Sequence, residues 1–156
     1  MGRSRRSKED DGGKGRANLE AAHAHIQRAR EQWERAAVDS WEPADPAGCV
    51  TFAFYAFENA VVAAAEAVGA RWEKKHPFKA ELAERLAANR VLTTDVSERL
   101  RWLNNVRKDV AYGEPGAELG GVDLEELVSD LEGFIGEVEE VIVTTEEAAE
   151  DSEDTS

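Results

Sequence analysis

The chain holds one cysteine, one methionine, four prolines and no run of alternating β-branched residues. A lone Cys49 excludes an internal disulfide and a thiolate-held metal site. With no apolar leader after Met1-Gly2-Arg3-Ser4-Arg5-Arg6, it predicts a reducing, cytoplasmic setting. Arg6 stands where a myristoylation signal needs Ser or Thr, and no uninterrupted apolar run is long enough to predict a membrane span. Phosphate-binding glycine motifs and HExxH are absent, and His23 and His25 point to opposite sides of a helix, so no metal or cofactor is expected. What remains is rich in Ala, Glu, Leu and Arg, which predicts an all-α fold.

The net charge of −14 is unevenly spread. Residues 1–16 carry six bases against three acids, and residues 144–156 carry six acids and no base. The ends read as a disordered basic arm (1–16) and a disordered acidic tail (143–156) around one helical domain at 17–142. An acidic body does not draw nucleic acid through its overall field, so any RNA contact must be focused in a local basic patch.

Hydrophobic periodicity predicts four long helices and a short one in an up-and-down bundle. The first covers about 17–39 on a stripe of Leu19, Ala22, Ile26, Ala29 and Trp33, and Trp41, Pro43 and Pro46 close it into a loop. The second, from about Ala47 to Val68, is apolar nearly all round and stops at Gly69, which suits the centre of a bundle. Pro77 opens the short third helix, with Phe78, Leu82 and Leu86 on its stripe and Asn89 as a left-handed terminator. Capping-box spacings at Asp95/Glu98 and Asp123/Glu126 start the fourth and fifth, the fourth ending at Gly113 and the fifth near Ile142.

Two polar intrusions carry the functional question. Val96, Leu100, Leu103 and Val110 form the apolar stripe of the fourth helix, and Arg107 falls on it. An Arg so placed implies a carboxylate opposite, an anionic ligand or a second copy of the chain. On the apolar second helix, Tyr55, Glu58, Asn59 and Glu66 make a polar strip that must be satisfied internally or at an interface. It reads as a hydrogen-bond network in the core, as a carboxylate that pairs with Arg107, or as catalytic equipment. His76, a candidate base, reads more simply as a loop residue or helix cap ahead of Pro77, and Lys79, Arg99 and Arg101, which could add a phosphate-facing patch, read first as solvated surface. Trp33, Trp72 and Trp102 sit near stripes, which favours packing over base stacking.

The run Phe54-Tyr55-Ala56-Phe57-Glu58-Asn59-Ala60, the joint Lys74-Lys75-His76 and the segment Leu103-Asn104-Asn105-Val106-Arg107-Lys108-Asp109-Val110-Ala111-Tyr112-Gly113 together resemble the HEPN domain (higher eukaryotes and prokaryotes nucleotide-binding) across about residues 17–142. The resemblance implies a helical bundle that pairs as a homodimer. Many such proteins are metal-independent ribonucleases, frequently bacterial toxins encoded beside a nucleotidyltransferase antitoxin, with an Arg-x(4–6)-His motif from each protomer at the interface. Arg107 matches the Arg and Asp109 the small polar residue that often follows, but Tyr112 stands where the His would be. Some members of the family read Arg-Asn-Asp-Ala-Asp-Tyr-Gly here, which Arg107–Gly113 resembles more closely.

The substitution matters because imidazole exchanges protons near neutral pH, whereas a phenol with a reference pKa of about 10 donates far better than it accepts. The expected site is therefore Arg107 on phosphate with Tyr112 and Asp109 around it, supported by Asn104, Lys108, Glu58 and Asn59. Its expected occupant is RNA or a nucleotide in the dimer groove, with RNA cleavage left open. The alternative is a non-catalytic protein interaction module in which Arg107 pairs with Glu58 across the bundle.

Overall fold

The computed structural model describes residues 16–41, 44–111 and 122–155, and its regular elements there are all helical. Five helices follow in order: α1 (Leu19–Asp39), α2 (Pro46–Val68), α3 (His76–Ala88), α4 (Ser97–Ala111) and α5 (Leu124–Thr155). The basic arm up to residue 15, Pro43 and the end of the fourth helix at Gly113 lie outside the described residues.

α2 is the centre, since it packs against each of the other four helices. Fourteen of its 23 residues are buried, among them Phe54, Phe57 and Val61. It is long and apolar enough by composition to cross a membrane, which the sequence reading did not anticipate, but 67% of the relevant stretch is buried inside the protein. Cys49 belongs to this core, and burial, helped by Asp39 and Asp45, pushes its thiol up to about 11. The helix begins one residue before the expected Ala47, at Pro46, because a missing N–H costs nothing at the first helical position. Asp45 Oδ1 accepts from Gly48 N at 3.0 Å to cap it, and Gly69 ends it with φ 76°.

The other helices lay one apolar face each on α2. α1 is capped by Asn18, whose Oδ1 accepts from Ala21 N at 2.9 Å, and buries Ala22, Ile26, Ala29 and Ala36. α3 buries Ala80, Leu82, Ala83 and Leu86 but leaves Phe78 exposed, contrary to the expected stripe. Its left-handed terminator is Arg90 (φ 62°), not Asn89 (φ −86°). Arg90 N donates to Ala87 O and Val91 N to Leu86 O, a pair of bonds that forces the residue after Asn89 into the left-handed region.

α4 starts at Ser97, two residues after the expected Asp95, because the Asp95 carboxylate accepts from Ser97 N at 2.9 Å and turns the chain just outside the helix. α5 is capped by Asp123 as expected, with Glu126 N donating to Oδ1 at 3.1 Å. It packs Leu127, Leu131, Phe134, Ile135, Val138 and Ile142 into the core. Where the sequence predicts a disordered acidic tail from residue 143, the helix continues to Thr155. Ala148, Ala149 and the glutamates are good helix formers, and Glu146 reaches across to His23 Nε2 at 2.9 Å.

Candidate functional site

The polar strip on α2 divides between separate networks, because neighbouring residues on a helix lie about 100° apart. Glu58 is buried at 3% exposure. Its Oε2 meets His76 Nδ1 at 2.6 Å and its Oε1 meets Lys79 Nζ at 3.7 Å. Asn59 turns toward α1, where its Nδ2 donates to Gln32 Oε1 at 2.8 Å and its Oδ1 lies 3.2 Å from His25 Nδ1. Glu66 Oε1 accepts from Trp72 Nε1 at 2.9 Å.

Arg107 lies beside the Glu58 network. Its Nη2 donates to Asn104 Oδ1 at 2.8 Å, one helical turn back. The guanidinium stacks over Phe54 at 5.1 Å and Tyr55 at 5.5 Å, an arrangement in which the ring faces attract the cation. Among the described residues, its Nε is buried without a hydrogen-bond partner. Buried donors are nearly always satisfied, so this one calls for a partner that the described residues do not supply.

The ion pair between Arg107 and Glu58 expected across the bundle is not formed. The start of α3 delivers His76 and Lys79 to the carboxylate instead, and the aromatic pair Phe54 and Tyr55 holds the guanidinium. Burial pushes the Glu58 carboxyl above the usual range, opposed by the hydrogen bond from His76 and by the charges of Lys79, His76 and Arg107.

Between α3 and α4 a groove of about 340 Å³ opens over this cluster, within the size range of small-ligand sites. His76 and Asn104 line it over a floor of Phe54, and Arg101, Asn105 and Lys108 form its polar rim. Arg101 also bonds Glu84 at 3.1 Å, an exposed pair of little energetic weight. The groove is thus locally basic on an otherwise acidic chain.

Of the residues singled out from sequence, Asn104 and Lys108 line the groove, Arg107 and Glu58 adjoin it through Asn104 and His76, and Asn59 serves the α1 network. Asp109 is exposed, and Tyr112 lies outside the described residues. His76 and Lys79 are the members that sequence reasoning ranked first as loop or cap and as solvated surface. His76 is the first residue of α3 rather than a loop residue, and Lys79, with a side chain only 17% exposed, is not solvated surface. The signal was available, since Pro77 fixes the helix start and His76 and Lys79 are then three apart on one face. Trp33 and Trp72 have structural hydrogen bonds, to Val128 O and Glu66, while Trp102 is 44% exposed.

No protein-family model matches the chain, and no curated protein or solved structure matches it either.

Proposed function

We propose that the groove between α3 and α4 binds the phosphate backbone of RNA or a nucleotide, with Arg107 as the phosphate-holding residue. The observation that carries this is the Arg107 guanidinium, stacked on Phe54 and Tyr55, fixed by Asn104 and left with a buried Nε–H that no described residue accepts. A planar cation held in this way is prepared for bidentate contact with an anion at little further ordering cost. Lys108 and Arg101 on the rim supply sequence-independent attraction to neighbouring phosphates.

The same reading takes the protein as a HEPN-like up-and-down bundle that pairs as a homodimer in the cytoplasm, with a nucleotidyltransferase antitoxin as a partner class. An Arg on the apolar stripe of α4 supports it, because a cation so placed calls for an anionic ligand or a second copy of the chain. Its reaction class is the metal-independent RNA cleavage of toxin or defence systems.

The test is anisotropy of a fluorescein-labelled, mixed-sequence single-stranded RNA titrated with the purified chain. Arg107→Ala should weaken binding at least tenfold, which corresponds to about 1.4 kcal/mol and lies at the low end for a charge-assisted hydrogen bond. A wild-type chain that does not bind the RNA at near-physiological salt overturns the reading. Light scattering in solution checks the dimer.

A further inference from the structure

We infer that His76 is the proton-transfer residue of an RNA-cleaving site, supplied from the start of α3 where the Arg107–Tyr112 segment has no histidine; this rests on the reading of the groove as an RNA site. The imidazole is oriented in the manner that proton transfer requires. Its Nδ1 is 2.6 Å from Oε2 of Glu58, a carboxyl buried on α2. That leaves Nε2, which among the described residues has no hydrogen-bond partner, on a side chain one-third exposed where it lines the groove. A base held by one nitrogen and oriented by a third group is the general arrangement of activated acid–base sites.

The cation sits beside it. His76 packs edge-on against Phe54 at 5.1 Å and lies 6.3 Å from Tyr55, and the Arg107 guanidinium lies over these same two rings. Imidazole and guanidinium therefore share the same two aromatic rings as neighbours. The other histidines lack this setting. His25 is bound to Asn59 with its ring against Trp72, and His23 pairs with the exposed Glu146.

The chemistry needs no co-reactant. His76 Nε2 takes the proton of a ribose 2′-hydroxyl, and the 2′ oxygen attacks the adjacent phosphorus. The bond from phosphorus to the 5′ oxygen breaks, and that oxygen departs with a proton drawn from solvent while His76 releases its own to solvent. Arg107 holds the non-bridging oxygens as charge develops on them. The products are a 2′,3′-cyclic phosphate and a 5′-hydroxyl. Glu58 is a positioning residue, since it touches His76 and not the substrate.

The purified full chain is incubated with the same labelled RNA, and products are separated and their ends identified. The wild type should cleave it to 2′,3′-cyclic phosphate ends and leave a fully 2′-deoxy version intact. His76→Gln should lower the cleavage rate at least about 100-fold, at the low end for loss of a general base, with RNA affinity within about threefold of wild type. Glu58→Gln should lower kcat about tenfold with little change in KM, the split expected when a catalytic group loses its orientation. RNA binding without cleavage by the wild type, cleavage of the 2′-deoxy strand, or full cleavage by a folded His76→Gln chain would each overturn the inference while leaving the binding reading intact. Should His76→Gln fail to fold, the Glu58→Gln kinetics and the product ends decide. Absence of binding overturns both.

Discussion

Glu58 and Asn59 are consecutive residues on the same core helix, each facing a histidine on a neighbouring helix, yet they build unlike surroundings. Asn59 lies in a net with Gln32, His25 and the Tyr55 carbonyl, in which both ends of its amide are bonded. Glu58 is a buried carboxyl with two basic partners, beside a guanidinium whose Nε has no partner among the described residues. The first arrangement is sufficient as packing between α1 and α2. The second leaves charge and hydrogen-bonding capacity unspent where a groove reaches it, and that surplus distinguishes a site from a seam.

The two surroundings also differ in what supports them, and the largest expected effect follows from that. Phe54 is 1% exposed and lies under both His76 and Arg107. Phe54→Ala should cost about 3–5 kcal/mol in chemical denaturation, the range for emptying a core aromatic position. It should also abolish RNA binding in the molecules that remain folded. Affinity retained on a destabilised scaffold would mean that the ring is not the floor of the site.

Asn59→Ala probes the other side. Its partners Gln32 and His25 are near enough to the surface to be rehydrated, so the loss should be about 1 kcal/mol, typical of a net hydrogen bond. RNA affinity should be unchanged. Loss of affinity in this variant would merge the two networks into one and remove the distinction drawn between them.

Much of the helical order was legible because it depends on local rules. Apolar spacing placed the stripes of α1, α2 and α5, and Gly69 and Asp123 acted as stop and cap. The misses occurred where a rule met a competing force. The Schellman geometry after α3 overrode Asn89 and put Arg90 in the left-handed region, and helix propensity carried α5 to Thr155 despite its acidity. In the site, Arg107 announced itself by standing on an apolar stripe. The partners of Glu58 did not, because which cation reaches that carboxyl depends on how α3 packs against α2, and spacing within one helix holds no information about that.

Glu58→Gln gives the smallest effect and the finest discrimination. Burial holds the Glu58 carboxyl above its ordinary value, so the folded chain binds that proton more tightly than the unfolded chain does. A raised acid contributes stability that is fully present below the unfolded value, about 4.3 for a glutamate, and lost as pH rises through the folded value. Gln cannot titrate and keeps nearly the same shape. Urea midpoints of wild type and Glu58→Gln should therefore diverge just above the ordinary carboxylate range, with the wild type losing ground relative to the variant as pH rises. A wild type that gains ground over that window would mean that His76, Lys79 and Arg107 outweigh burial, and that the carboxylate is held charged by its partners in the folded chain. Either sign fixes the ionisation of the group on which His76 is mounted, a question that cannot arise for Asn59 because its side chain does not titrate.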